Sequence, residues 1–250
     1  MAPDLVILQN IGTAETRAVR HACLLADGVG VAVRSIEGLD DLSQKLRNKT
    51  ALPVGSVEFV RRAMEVAGIE EPAPMGYPRR LAPWFHRNIQ MRRAGVLPGL
   101  TGPRFVKPVA TKLFNGFVHD PDGDATSLSA HDLEQACVLT NIAAEEPVWV
   151  SEVVEFVSEV RYYVQGGHLI GQARYDADGE DNAPEPNMIQ VQAAIACAGY
   201  TQPYTIDMGV LRSGQTALVE LNQAWAIGLY GTALSSSAYL GFLREFWESL

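Results

Sequence analysis

Two lysines stand out in the stretch RFVKPVATK, which runs from Arg104 to Lys112. The apolar residues around Lys107 predict a buried strand, and Lys112 follows five residues later. If the strand lies at the edge of a sheet, its lysines could serve only to discourage aggregation. The other interpretation is that an anion lies beside the two ammonium groups.

The distribution of charge along the chain supports the second interpretation. Residues 72–119 contain no Asp or Glu but hold eight of the twenty Lys and Arg, whereas residues 120–250 contain nineteen acidic residues and four arginines. This asymmetry predicts that part of the basic segment binds an anion. Most of its other arginines are expected to face water; they are Arg79, Arg80, Arg87, Arg92 and Arg93. The net charge of −9 argues against a general nucleic-acid binder.

Three oxygen-bearing side chains occur on two neighbouring predicted strands. Asp207 lies in YTIDMGVL (204–211), and Glu220 and Asn222 lie in TALVELNQ (216–223). Residues two apart in a strand point to the same face, and a hairpin would bring Asp207 beside the other two. Mg²⁺ takes few protein oxygen ligands and completes its shell with water and phosphate, so the set could hold this cation. Alternatively, Asp207 and Glu220 pair with arginines or cap turns.

A run of carboxylates interrupts the apolar segment VWVSEVVEFVSEV. Glu152 and Glu159 could accept hydrogen bonds from ribose hydroxyls. The extended backbone between them could bind the edge of an adenine while Val153 and Val154 pack on its faces. The simpler interpretation is a half-exposed strand with alternating polar residues, and it accounts well for Glu152.

Arg161 and Arg174 are two of only four cations in the acidic half. Arg161 lies between apolar neighbours, which a half-exposed strand explains less well than it explains Glu152. A guanidinium group in such surroundings is suited to bidentate binding of a phosphate or carboxylate.

Secondary-structure patterns predict the elements that position these residues. Period-two or short apolar runs predict strands at 4–10, 29–36, 148–156, 159–165, 168–176, 204–211 and 216–223. Helical periodicity and caps predict helices at 16–26, 56–67, from Ser129 onward, at 187–198 and at the C-terminus. Residues 71–83 are rich in Pro and predict a loop or boundary. The apolar stripe of the last helix is expected to be core.

Composition places the chain among ordinary globular proteins, with 47% hydrophobic and 20% charged residues. The first apolar run, Leu5 to Leu8, is too short for a membrane span or signal sequence. The three cysteines are widely separated and lack metal-binding spacing, which favours small core residues in a reducing cytoplasm.

Taken in this order, the two lysines, the acidic strand, the arginine strand and the Asp…Glu-x-Asn set resemble the ATP-grasp superfamily of carboxylate–amine ligases. The resemblance extends from about Arg104 to Gly231, and the glycine-poor loop ATKLFNGF is similar to the clade named for one arginine and two lysines. It implies an α+β ATP-grasp fold, in which two lobes grip a nucleotide, preceded by a small α/β N-terminal region. The implied boundaries are residues 1–95 for that region and 96–250 for the ATP-grasp domain, with a small lobe at about 104–154 and a large lobe at 155–250.

The resemblance also implies roles for individual residues. Lys107 would contact the α- and β-phosphates of ATP, and Lys112 would cover the γ-phosphate or the acyl phosphate from its loop. Glu152, Val153 and Val154 would bind adenine, Glu159 would bind ribose, Arg161 and Arg174 would act in catalysis with Lys112, and Asp207, Glu220 and Asn222 would hold Mg²⁺.

The activity implied is formation of an amide or peptide bond, in which ATP phosphorylates a carboxylate and an amine attacks the acyl phosphate. The expected substrates are small molecules resembling amino acids or peptides, with no nucleic-acid or membrane partner. Two alternatives remain: a nucleotide-binding module without ligase activity, and another phosphoryl-transfer enzyme. A nucleotidyltransferase with Lys107 as nucleophile lacks the expected K-x-D-G pattern, since Pro108, Val109 and Ala110 follow the lysine.

Overall fold

The structure, a computed structural model, describes residues 3–26, 28–123, 129–175 and 183–250. The α-helices are α1 (Ala14–Leu25), α2 (Ser43–Arg47), α3 (Val57–Ala67), α4 (Ala130–Leu139), α5 (Met188–Ala198) and α6 (Ser236–Ser249). The strands are β1 (Leu5–Gln9), β2 (Gly30–Arg34), β3 (Ala51–Val54), β4 (Ile89–Arg93), β5 (Arg104–Pro108), β6 (Phe117–His119), β7 (Pro147–Ser151), β8 (Phe156–Gln165), β9 (His168–Arg174), β10 (Tyr204–Leu211) and β11 (Thr216–Gln223). Short 3₁₀ helices occur at Glu37–Leu42, Arg79–Trp84 and Ala94–Gly99.

The first sheet is parallel, with strand order β2-β1-β3. The βαβ unit predicted at the N-terminus is therefore present, while the sequence patterns did not predict β3, which has only four residues. The apolar stripe of α6 packs into the same core, where Phe242 and Phe246 are almost fully buried. The two ends of the chain thus share one hydrophobic core, as the stripe's periodicity predicted for its buried face.

The predicted helix ends are confirmed by cap geometry. Ser56 accepts a hydrogen bond from the Phe59 N–H at the start of α3, and Gly68 ends that helix in the left-handed conformation. The Ser129 side chain accepts from the Asp132 N–H at the start of α4. Because capping depends on residues close in sequence, these ends could be predicted locally.

The second sheet is antiparallel, with strand order β4-β7-β5-β6. The predicted lysine strand is β5, and Lys107 lies directly opposite Trp149 of β7. The patterns did not predict β4, whose residues are mostly exposed and show no apolar alternation. β4 precedes residue 95, so this sheet includes a strand from the region predicted as N-terminal; the domain boundary itself stays a prediction.

The third sheet is also antiparallel, with strand order β11-β10-β8-β9. Both predicted hairpins are present, β8–β9 around Gly166-Gly167 and β10–β11 around Ser213-Gly214. Every residue of the central strand β10 is buried. One face of this sheet packs on α5, which leaves the other face free to form a site.

The predicted strand at 148–156 was wrong in its extent. β7 ends at Ser151 and β8 begins at Phe156, and the four residues between them belong to no sheet. β7 lies in the second sheet and β8 in the third, so the chain must leave one ladder before it enters the other. Within the part of the chain that the structure describes, no helix is long and apolar enough to cross a membrane.

Candidate active site

A cleft of about 770 Å³ lies between the second and third sheets. Residues of both sheets line it, together with the segment 74–77 and the loop after β11. Six of the predicted site residues are in its wall: Lys107, Lys112, Glu159, Arg161, Glu220 and Asn222. Residues far apart in sequence therefore meet in one cavity.

Lys107 reaches across this cleft. Its Nζ donates a hydrogen bond to Glu220 Oε2 at 2.8 Å, which joins β5 of the second sheet to β11 of the third. Burial lowers the pKa of Lys107, but the adjacent Glu220 carboxylate more than offsets this, and the net pKa lies above the usual value. β5 is flanked by β7 and β6, so the edge-strand explanation for Lys107 is wrong.

Glu220 and Asn222 form a second contact in the same wall. Asn222 Nδ2 donates to Glu220 Oε1 at 2.7 Å, as expected for residues two apart on one face of a strand. Burial alone would raise the pKa of Glu220, but the charge of Lys107 and the hydrogen bonds of Lys107 and Asn222 hold it at about 2. Glu220 is therefore an anion with both oxygens engaged.

Asp207 lies beneath this pair rather than in the wall. The predicted hairpin places it directly opposite Glu220 on one side and Arg161 on the other. Arg161 donates to both oxygens of Asp207, at 2.9 and 2.6 Å, and the two side chains are 7% and 0% exposed. Burial raises the pKa of Asp207 to about 7 against the opposing pull of the Arg161 guanidinium. The alternative that Asp207 pairs with an arginine describes this arrangement.

The donor set suits a cation that needs few protein ligands. Glu220 and Asn222 present oxygen atoms at the cleft, whereas both oxygens of Asp207 are taken by Arg161. Among the described residues there is no group of three or more His, Cys, Asp or Glu able to enclose a metal ion. Mg²⁺ tolerates such a partial set because water and phosphate oxygens complete its shell.

Two tyrosines that the sequence did not reveal cover Arg161. The rings of Tyr175 and Tyr230 are stacked with centroids 5.4 Å apart, and the Arg161 guanidinium carbon lies 5.3 and 5.1 Å from them. Tyr175 donates its hydroxyl to Glu159 Oε2 at 2.6 Å, and burial raises the pKa of this phenol. No local pattern marks these tyrosines, since Tyr230 lies in a loop.

An aromatic wall adjoins Lys107. Trp149 and Tyr77 meet edge to face with centroids 5.2 Å apart, and Tyr77 donates its hydroxyl to the Val219 carbonyl at 3.0 Å. Gly76 has φ +58°, and a Cβ there would lie 2.7 Å from the Trp149 ring. Alternation along β7 could have identified Trp149, because Val148 and Val150 face the core.

Four further predicted residues lie outside the wall. Glu152 accepts a hydrogen bond from the Asn88 N–H at 2.8 Å, and Val153 is 46% exposed. Val154 belongs to the same linker between the sheets, and Arg174 lies on β9 opposite Val160. The structure thus does not bring these side chains to the residues around Lys107.

Solved structures share this architecture. D-cycloserine synthetase DcsG aligns with a TM-score of 0.61 at 14% identity, over 98% of this chain and 99% of that one. D-alanine–D-alanine ligase from Bacillus anthracis, complexed with ATP, aligns with a TM-score of 0.55 at 14% identity, over 99% and 97%. The ATP-grasp ligase PsnB, complexed with a minimal precursor, aligns with a TM-score of 0.52 at 15% identity, over 96% and 98%. At these identities the likeness establishes the ATP-grasp fold.

Sequence comparison is more specific about the family. No curated protein matches the chain at a significant level. The model that matches describes the ATP-grasp domain of family 2 in the clade named for one arginine and two lysines. It covers residues 84–240, which is more than half of the chain and includes the whole lysine–carboxylate cluster. The chain therefore belongs to family 2 of this clade of ATP-grasp domains.

Proposed function

We propose that this protein is an ATP-dependent carboxylate–amine ligase that forms an amide or peptide bond through an acyl phosphate. The observation that carries the proposal is the contact of Lys107 with Glu220 and Asn222 across the cleft, in a chain with an ATP-grasp domain. The substrates are a small carboxylate and a small amine of amino-acid or peptide type. The free thiols of Cys23, Cys137 and Cys197 support action in a reducing compartment such as the cytoplasm.

The charges in the cleft support binding of a nucleotide with a cation. Each anion at the centre is paired with a cation of the chain, Glu220 with Lys107 and Asp207 with Arg161. Glu220 and Asn222 would hold Mg²⁺, and Lys107 would then be available to the phosphates. Mg²⁺ held there would neutralise phosphate charge and align the reacting oxygens. Asp207 can serve as a third ligand only if Arg161 releases one of its two oxygens.

The remaining groups would orient the nucleotide and stabilise developing charge. Glu159 lies in the cleft, where a ribose hydroxyl can reach it, and the backbone of the linker at Glu152, Val153 and Val154 adjoins both sheets. Lys112 in the wall and Arg174 on β9 would act on the transferred phosphoryl group.

The reaction balances without any further reactant. A carboxylate oxygen attacks the γ-phosphorus of ATP, ADP leaves, and an acyl phosphate forms. The amine nitrogen then attacks the acyl carbon, phosphate leaves, and the nitrogen loses a proton. The chain's contribution is to position these groups and to compensate their charge.

A screen of ADP release tests the proposal. Purified protein with ATP and Mg²⁺ should release ADP only when a suitable carboxylate and amine are present, and mixtures of amino acids and dipeptides are the first substrates to examine. Nucleotide with Mg²⁺ should also raise the Tm, because a ligand at one hundred times its Kd stabilises the native state by about 2.7 kcal/mol. Stabilisation without ADP release for any mixture would favour a non-catalytic binding module. A folded protein unaffected by millimolar nucleotide would contradict nucleotide binding.

Lys107→Ala should weaken ADP binding by roughly ten- to a hundredfold, because a charge-assisted contact contributes about 1.5–3 kcal/mol. The position of Lys107 on an interior strand makes the contact available in every nucleotide state. Calorimetric ADP affinity measures the effect. Lys45→Ala is the matched control, since Lys45 pairs with Asp4 on the surface. An unchanged ADP affinity in Lys107→Ala would show that this lysine only compensates Glu220.

A further inference from the structure

The loop of residues 109–116, called here the lysine loop, has a fixed backbone although it contains one glycine. Lys112 at its centre has φ +61°, in the left-handed region that side-chain-bearing residues rarely adopt. Such a conformation persists only where surrounding structure determines it. The lysine loop therefore needs partners that hold its backbone on both sides of Lys112.

Helix α4 holds the end of the lysine loop. Gln135, which is only 5% exposed, accepts a hydrogen bond from the Asn115 N–H at 2.9 Å through Oε1. His131 Nε2 lies 3.0 Å from the Gly116 carbonyl oxygen. Gln135 is the buried residue of α4, at a position where an apolar side chain would be usual for the inward face of a helix. Its polar group is directed at the loop backbone.

Helix α3 holds the beginning of the lysine loop. Arg61 Nη2 donates to the Thr111 carbonyl oxygen at 3.1 Å, one residue before Lys112. The same guanidinium makes a bidentate ion pair with Glu71, at 2.6 and 3.2 Å. A rigid fork already fixed by a carboxylate is well suited to fix a carbonyl as well.

We propose that Gln135 and Arg61 are positioning residues that hold Lys112 in the cleft as a preformed contact for the γ-phosphate of ATP. These side-chain bonds from two helices take the part that glycine backbone amides play in a glycine-rich loop. The inference rests on the proposed function, because it requires that the cleft binds ATP. It makes Lys112 a fixed arm rather than part of a mobile lid.

Nucleotide affinities test this without turnover. Calorimetry would compare ADP with an ATP analogue carrying a β,γ-imido bridge, both with Mg²⁺. Lys112→Met should reduce the preference for the analogue over ADP by about tenfold. Gln135→Met should reduce it similarly, whereas Gln135→Glu retains the acceptor oxygen and should keep most of the preference. The double variant Lys112→Met/Gln135→Met should show no further loss, because Gln135 acts only through Lys112.

A second pair of variants covers the case in which Gln135→Met does not fold. Arg61→Met removes the bond to Thr111 and should lower the preference, while Glu71→Gln leaves that bond in place and should lower it less. Glu134→Gln, an exposed neighbour on α4, is the control for effects on the helix.

Two results would overturn the inference: a preference that survives both Gln135→Met and Arg61→Met, or additive losses in the double variant. A wild-type protein with no preference for the analogue would also overturn it. In that last case ADP release with substrates would still support the ligase, so failure of the inference and failure of the proposed function are distinguishable.

Discussion

Glu220→Gln is expected to lower ATP-dependent turnover by at least about a hundredfold while the protein stays folded. The glutamine keeps the size of the side chain and an acceptor for Asn222, but it removes the charge that would hold Mg²⁺. A bound metal supplies several kcal/mol of transition-state stabilisation, and each 1.36 kcal/mol corresponds to a factor of ten in rate. The measurement is single-turnover ADP formation at saturating ATP and Mg²⁺.

The control for Glu220→Gln is Glu155→Gln. Glu155 pairs with Arg212 on the surface, outside the wall of the cleft, so this change removes a paired carboxylate without touching the site. Turnover of the control should match that of the unchanged protein. If Glu220→Gln also retains full turnover, Glu220 serves only as the counter-charge of Lys107.

Breaking the Arg161–Asp207 pair from one side should destabilise the fold by about 3–5 kcal/mol, because the partner left behind is a buried, unpaired charge. Arg161→Met and Asp207→Leu each do this, since the two side chains are 7% and 0% exposed. For a chain of this length such a change lowers Tm by roughly 10 °C. Urea and thermal unfolding measure both variants.

The double variant Arg161→Met/Asp207→Leu should recover most of the lost stability. Replacing a buried ion pair with apolar side chains of similar volume is often neutral. The recovery measures the coupling between the two residues. Losses that simply add in the double variant would show that each residue stabilises the fold through other contacts.

The same variants separate two roles of Asp207. If it acts mainly through Arg161, Mg²⁺-dependent binding of ADP should weaken to a similar degree in Arg161→Met and Asp207→Leu. If it is a direct metal ligand, Asp207→Leu should weaken that binding while Arg161→Met preserves it. Calorimetry at several Mg²⁺ concentrations distinguishes these cases.

Local patterns were sufficient where the physical cause is itself local. The caps Ser56 and Ser129, the hairpin at Gly166-Gly167 and the strand pair carrying Asp207 and Glu220 were all predicted and are confirmed. Each depends on residues that are adjacent in sequence or on a side-chain period of two. Short or exposed strands such as β3 and β4 were missed, because a few residues in an existing sheet need no periodic pattern of their own.

By itself, the sequence determined which chemical groups are available and which of them share a strand face: the lysine on β5, and Glu220 beside Asn222 on β11. The tertiary structure alone decided how those groups are paired. Lys107 bonds Glu220 across the cleft, and Arg161 takes both oxygens of Asp207, a residue that the pattern had offered to a metal. The reason is that charge compensation depends on distance and burial, and the packing of one sheet against another sets both.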